Sequence, residues 1–319
     1  MTQDKPLLGV LLMLGFCALA PMGDAIAKLL GGSVPLIQLL LVRFAIQAIL
    51  LLPIVAYWVQ QAKQDPQVKS PLALTPRVMQ LTVIRTVLHI VGVGAMFLSL
   101  RYLPLADAVA IAFVMPFIML LLGHTVLGEE VGSRRLIACA ICFIGTLLVI
   151  QPSFEEVGLP ALLPLVVAVD FAFFMLVTRQ VAKDIDPIVL QAVSGSIATC
   201  MLGGAALILW GTGWLPAPFV LPGRFDITLL AAVGIVGTVA HLLMTWSLRY
   251  APSATLAPMQ YLEIPIATVI GYLVFQDLPN GLAALGIAIT IGSGLYIVFR
   301  EHAVSRKVDN SNLREHAAE

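Results

Sequence analysis

The stretch Ser99-Leu100-Arg101-Tyr102-Leu103-Pro104-Leu105-Ala106 returns later in the chain as Ser247-Leu248-Arg249-Tyr250-Ala251-Pro252-Ser253-Ala254. Six of the eight aligned positions are identical, at an offset of 148 residues. A fragment that recurs about half a chain away indicates an internal duplication. We therefore interpret the chain as one structural unit present twice, over residues 1–151 and 152–300, followed by a polar tail over residues 301–319.

The composition predicts that these units lie in a lipid bilayer. Of the 319 residues, 60% are hydrophobic and 11% are charged, and the mean hydropathy is +0.98. A soluble domain is about half apolar and about a quarter charged, so no single core hides this surplus from water. The 18 basic residues balance 18 acidic ones, which argues against a nucleic-acid partner. No disulfide framework is expected, because the cysteines lie inside apolar runs: Cys17, Cys139, Cys142 and Cys200.

Apolar runs long enough to cross the hydrocarbon, which takes about 20 helical residues, occur at ten places. They lie near residues 7–29, 34–58, 79–100, 103–125, 133–150, 158–179, 187–210, 227–248, 253–275 and 281–299. Continuous apolar runs predict helices, because a membrane barrel alternates apolar and polar residues. An odd number of spans in each unit turns the second unit upside down. The sequence therefore predicts an all-α membrane protein of ten transmembrane helices in two inverted five-helix repeats.

Lysine and arginine positions predict the orientation. With the N-terminus inside, 13 of the 18 basic residues fall in cytoplasmic loops and tails, as the positive-inside rule requires. We expect a multi-pass protein of the inner membrane with both termini cytoplasmic.

The ten spans, the duplication and the local motifs resemble the drug/metabolite transporter superfamily, in particular its EamA-type members. The first copy carries Arg101-Tyr102-Leu103-Pro104 and Gly128-Glu129-Glu130, and the second carries Arg249-Tyr250-Ala251-Pro252 and, where Glu129 is expected, Asp277. The resemblance implies that spans one to four and six to nine surround a central cavity. It implies transport without naming a substrate.

Ionisable groups in five different spans fall at one depth near the middle of the membrane: Arg43, His89, Asp170, His241 and Glu263. Charged groups inside lipid cost about 2.5–3.5 kcal/mol each, so they tend to face protein or water. We predict that they line a site for substrate binding or coupling, together with Gln260, Tyr261 and Trp246. The structural alternative is a set of ion pairs that tie helices together, such as Arg43 with Glu263 or Asp170.

Other charged residues are expected near the membrane surfaces. Arg85 is close enough to the cytoplasmic end of its span to extend into water. Asp24 and Lys28, four residues apart, are interpreted as a local pair. Asp107 is expected at the rim of the fourth span.

Small residues form a stripe on the last span at Gly286, Thr290 and Gly294. Such a stripe is typical of close helix packing. It serves either the packing of the span inside the chain or a homodimer interface.

The favoured function is a secondary-active or facilitative transporter of a small polar organic metabolite. An amino acid, an amino-acid-like metabolite or a vitamin such as riboflavin is expected, without a cofactor or metal. The alternative is an intramembrane metal-dependent enzyme that uses the midplane His, Asp and Glu residues. Against this alternative, the sequence contains no H-E-x-x-H metal-binding motif.

Overall fold

The computed structural model describes most of the chain: residues 6–65, 70–72, 74–115, 118, 133–212, 219–251, 256, 259–293 and 295–296. All regular secondary structure in these residues is helical. The predicted tail 301–319, Gly294 and the Gly128-Glu129-Glu130 motif lie outside them.

The helices are α1 (Pro6–Leu30), α2 (Leu36–Gln64), α3 (Pro76–Ser99), α4 (Leu105–Ala112), α5 (Ser133–Val157), α6 (Leu163–Val181), α7 (Pro187–Gly211), α8 (Arg224–Tyr250), α9 (Glu263–Phe275) and α10 (Gly281–Ser293). Six of them, α1 to α3 and α6 to α8, are long and apolar enough to cross a membrane. Large apolar side chains such as Ile49 and Ile208 stay exposed on their outer faces, which suits contact with lipid.

Two of the spanning helices, α3 and α7, begin with the same N-terminal capping arrangement. Thr75 caps α3 by accepting a hydrogen bond from the backbone N–H of Val78, and Asp186 caps α7 by accepting one from that of Ile188. A proline follows each cap as the first helical residue, where its missing N–H costs no hydrogen bond. The sequence therefore sets the start of both helices.

The ninth predicted span is not one continuous helix. A turn at Tyr261 and Leu262 precedes α9, which begins at Glu263. Pro265 thus falls in the first helical turn, where an N–H has no partner within the helix. The proline breaks no hydrogen bond of an ongoing helix there, in contrast to the kink that its position inside a long span suggests. For the fourth span, the described helix is α4, and residues 119–132 lie outside the described part.

Each of α1 to α4 makes its most extensive contact with one helix of the second half. The pairs are α1 with α8, α2 with α7, α3 with α6, and α4 with α9. In addition, Gly145 of α5 lies against Gly286 and Thr290 of α10, so close that a Cβ at Gly145 would lie 2.8 Å from the carbonyl oxygen of Gly286. Gly286 and Thr290 therefore serve packing inside the chain; a homodimer through this face stays a prediction.

The repeated arginines make equivalent contacts at opposite ends of the bundle. Nη2 of Arg101 donates to the carbonyl of Val34, two residues before α2, over 2.9 Å. Nη1 of Arg249 lies 3.5 Å from the carbonyl of Ile185, two residues before α7. The first contact lies at the end of the bundle where α1 ends, called here the far side. The second lies where α1 begins, called the N-terminal side, because Ser247 donates to the carbonyl of Gly9 there.

Candidate functional site

A cavity lies between the two halves of the chain and contains about 960 Å³ of space not filled by atoms, including its open part. Helices from both halves line it, through their middle and far-side portions. The polar and charged lining residues are Asp24, Arg43, His89, Asp170, His241, Gln260 and Glu263.

Arg43 of α2 lies against two histidines in the cavity wall. Its Nη2 is 3.2 Å from Nδ1 of His241 and 3.4 Å from Nε2 of His89. Arginine has only donors and stays protonated in proteins, so both ring nitrogens accept and both histidines are neutral. Nδ1 of His241 is also 3.0 Å from the carbonyl of Gly237. As the acceptor of the Arg43 N–H it carries no proton to donate there, and the helical N–H of His241 binds that carbonyl instead.

The structural alternative, an ion pair of Arg43 with Glu263 or Asp170, is wrong. Among the residues described, no carboxylate oxygen lies within 4.0 Å of the Arg43 guanidinium. The two histidines and the face of Phe44, 4.7 Å from the guanidinium carbon, surround the guanidinium instead. Its Nη1 is buried without a hydrogen-bond partner in the described part of the chain.

Three carboxylic acids line the same cavity from separate helices. Asp24 belongs to α1, Asp170 to α6, and Glu263 is the first residue of α9. Oδ2 of Asp170 is buried and, within the described residues, has no hydrogen-bond partner. It lies against Gly92, where an added Cβ would collide with it. The cavity therefore combines one arginine with three acids.

Aromatic rings form much of the remaining wall. Phe16 stacks on Phe171 at a centroid distance of 6.5 Å, and Phe171 stacks on Phe174 at 5.5 Å. Phe174 in turn lies 5.0 Å from the ring of His89, whose ring is 4.3 Å from that of His241. The wall is thus more apolar than the predicted mixture of polar groups, with the charged groups as separate points on it.

A layer of hydrogen bonds closes the cavity on the N-terminal side. Nε of Arg85 donates to Oγ1 of Thr178 over 2.9 Å, and Nη1 donates to Oγ of Ser194 over 3.1 Å. The guanidinium carbon lies 4.6 Å from the Phe174 ring centre. Arg85 is fully buried, so the prediction that it extends into water is wrong: hydroxyls of α6 and α7 hold it inside the bundle.

The same layer continues through two glutamines. Nε2 of Gln47 donates to the carbonyl and the side-chain oxygen of Gln191 over 2.8 and 3.0 Å. Nε2 of Gln191 donates to Oγ1 of Thr245 over 3.1 Å. Helices α2, α7 and α8 are therefore joined by side-chain hydrogen bonds beside the Arg85 cluster.

The charged groups of the far side differ from the predictions as well. Nζ of Lys28 donates to Asp277 over 2.9 Å and to the carbonyl of Leu103 over 3.1 Å, so it pairs with the second half and not with Asp24. Asp24 lines the cavity instead. Asp107 is buried and accepts a hydrogen bond from Ser153, so it is not an exposed rim residue.

The structure brings together six of the eight predicted site residues. Arg43, His89, Asp170, His241, Gln260 and Glu263 all line the cavity. Tyr261 lies behind it, with its ring 5.3 Å from that of Phe113. Trp246 packs in an apolar cluster with side chains such as Leu51 and Val78, away from the cavity.

Sequence reasoning missed Asp24 and the phenylalanine wall. Asp24 shared a face with Lys28, which suggested a local pair and hid its role. A signal was present, because Asp24 follows a glycine well inside an apolar run. Phenylalanines in apolar spans carry no comparable signal, since most face lipid or core.

The two halves of the chain that surround this cavity both match the same known protein family. The family model described as the EamA-like transporter family matches residues 7–151 and again residues 158–299. The chain belongs to the EamA-like transporter family. It is thus an integral membrane protein of a transporter family, and the resemblance noted from the repeated motifs is confirmed.

Relatives of this EamA-like protein carry transporter names. It is 29% identical over 223 residues to a riboflavin transporter of Rhizobium johnstonii, covering 70% of this chain and 71% of that one. It is 23% identical over 286 residues to an S-adenosylmethionine uptake transporter of Rickettsia bellii, covering 89% and 91%. A protein solved by crystallography shares the fold, with a TM-score of 0.61 at 17% identity, over 94% of this chain and 99% of that chain.

Proposed function

We propose that this EamA-like protein is a secondary-active or facilitative transporter that carries a small polar organic metabolite across the inner membrane. The central cavity is its substrate site. The observation that carries the proposal is a buried cavity whose ionisable lining residues come from both halves of the chain. Charged groups in a membrane interior are costly, so their convergence on one cavity indicates a pathway.

Alternating access between two inverted repeats, over residues 1–151 and 152–300, is the mechanism we propose. Two observations support it. The first helix of the first half, α1, pairs with the third of the second half, α8, and the third, α3, pairs with the first, α6. The second helices α2 and α7 pair with each other, as do the fourth helices α4 and α9. A pseudo-twofold axis in the membrane plane requires this pattern. The Arg101 and Arg249 contacts recur at opposite ends. The N-terminal side is then the cytoplasmic side, with both termini inside.

The metal-dependent enzyme is less well supported by the geometry. The histidine nitrogens that a metal would need accept from Arg43, and a guanidinium repels a cation placed there. Within the described residues, no three His, Cys, Asp or Glu side chains form a metal-binding group. The names of the relatives also indicate transport.

Uptake into proteoliposomes tests the proposal. Radiolabelled S-adenosylmethionine, riboflavin and the twenty amino acids are each offered to vesicles that hold the full chain and to empty vesicles. We expect saturable uptake of at least one compound and exchange of preloaded label against unlabelled compound. Uptake that rises linearly with concentration and shows no exchange would identify a channel, and no uptake at all would refute transport of these compound classes.

A further inference from the structure

We propose that the cavity selects an amphoteric organic ion, whose anionic group binds Arg43 and whose cationic group binds Asp170. This inference rests on the proposed transport function and narrows its substrate class. It follows from two buried charged groups with unpaired atoms, from the charge balance of the cavity and from its apolar wall.

Arg43 provides the anion site. Arg43 is 2% exposed, and its Nη1 donor has no partner within the described residues. A buried donor without an acceptor is costly, and two neutral histidines supply no negative charge. The histidines fix Nη2 and leave Nη1 for another acceptor. A carboxylate fits, because it accepts a charge-assisted hydrogen bond from a guanidinium N–H such as that of Nη1.

Asp170 provides the cation site. Its side chain is 7% exposed, and Oδ2 is buried without a partner in the described chain. Gly92 leaves the space that this carboxylate occupies, and Gly237 does the same beside Arg43, since a Cβ there would lie 2.9 Å from the arginine Nε. Both unpaired groups therefore sit against glycines on α3 and α8.

The charge balance favours a substrate that carries both charges over a plain anion or an uncharged molecule. Among the described residues that line the cavity, the acidic side chains are Asp24, Asp170 and Glu263, and the cationic side chain is Arg43. A plain anion would face three carboxylic acids beside Arg43, and an uncharged molecule would bring no counter-charge to Arg43 or Asp170. Pairing of unlike charges satisfies both groups at once.

The apolar wall of the cavity sets the body of the substrate. Phe16, Phe171 and Phe174 form a stacked series next to the histidine rings. An apolar or aromatic body gains contact area there. The expected substrate is an amphoteric ion that carries such a body between or beside its charges.

Sets of matched compounds test the assignment. Binding of each of the twenty amino acids and of S-adenosylmethionine to the full chain in nanodiscs is measured by scintillation proximity, with riboflavin as the uncharged probe. For each compound that binds, the amine without the carboxylate and the acid without the ammonium are measured too. We expect each loss of a charge to weaken binding about 10- to 100-fold, the worth of a charge-assisted hydrogen bond.

Variants assign each charge to its partner. Arg43→Gln should weaken binding of the amphoteric ion and of the acid but leave that of the amine unchanged. Asp170→Asn should weaken binding of the ion and the amine but leave that of the acid unchanged. Gly237→Ala should act like Arg43→Gln, and Gly92→Ala should act like Asp170→Asn, because each added methyl group displaces the charged side chain beside it. Gly204→Ala is the matched control, since a Cβ there meets nothing within 4 Å.

The outcomes separate this inference from the transport function. Uptake of riboflavin or another uncharged compound, without binding of any amphoteric ion, would overturn the charge assignment and keep the transport function. Binding of an amphoteric ion with the expected variant pattern but without uptake would keep the assignment and overturn transport. Absence of binding by every amphoteric compound overturns the assignment. The unmodified chain gives the compound series even if a variant does not fold.

Discussion

Thr178→Val is the sharpest test of the hydrogen-bonded layer under the cavity. Oγ1 of Thr178 accepts from Nε of the fully buried Arg85 over 2.9 Å. Valine has nearly the shape of threonine, so the variant removes the acceptor without creating a cavity. Arg85 keeps only its bond to Ser194, and Nη2, already without a partner in the described chain, is joined by an unpaired Nε.

The expected loss follows from that geometry. A hydrogen bond to a charged group contributes about 1.5–3 kcal/mol to stability, and Arg85 is fully buried. We expect Thr178→Val to lower the free energy of unfolding by about 2 kcal/mol. In an Arg85→Met background the same change should cost less than about 0.5 kcal/mol, because no donor is left unpaired.

Reversible unfolding of the full chain in mixed micelles, followed by circular dichroism, measures the four proteins of this cycle. Thr82→Val is the control, because Thr82 is as buried as Arg85 but bonds only to the carbonyl of Val78 in its own helix. Its loss should be close to zero. Equal losses from Thr178→Val in both backgrounds, or a loss no larger than that of Thr82→Val, would refute the role of Arg85 as the centre of the layer.

Three further predictions concern transport and orientation. A disulfide between Thr86→Cys and Ser194→Cys, whose hydroxyl oxygens are 2.8 Å apart, should stop uptake until it is reduced, while each single variant keeps uptake; unchanged uptake in the oxidised form would contradict alternating access. Glu263→Gln should keep folding and membrane insertion but lose uptake, because it removes the cavity carboxylate at the start of α9; full uptake would remove Glu263 from the site. A reporter that is active only in the cytoplasm should be active when fused after Glu319. Activity of a reporter that functions only in the periplasm would reverse the assigned orientation.

The sequence predicted the helical membrane class and most of the cavity residues because both follow from strong energetic rules. Long apolar runs have one stable form in lipid, and ionisable side chains at one depth avoid lipid together. Depth along the spans alone places Arg43, His89, Asp170 and His241 at one level. Depth along a helix is readable from a sequence, since each residue rises about 1.5 Å.

Partners across helices were not readable, because the rotation of each helix decides them. Arg43 pairs with histidines and not with an acid, and Lys28 reaches Asp277 at the end of α9 instead of Asp24 one turn away. Arg85 remains inside because Thr178 and Ser194 happen to face it. Helix α9 starts at Glu263 because a turn at Tyr261 and Leu262 precedes it. The sequence did not separate this turn from a kinked continuous helix, because Pro265 is compatible with both.

The two halves share their framework but not their chemistry. At the offset of 148 residues, Arg101 matches Arg249, and both hold a carbonyl two residues before a helix. Arg85 and Thr86, however, match Val233 and Gly234, and Gly234 packs closely on apolar Ile46. If the halves exchange conformations during transport, contacts present in both halves hold in both states, and contacts present in one half are those that change. The layer around Arg85 then opens toward the cytoplasm while the arginine contacts at both ends persist. The cross-link between positions 86 and 194 acts on that layer, which is why it should block uptake without disturbing the framework.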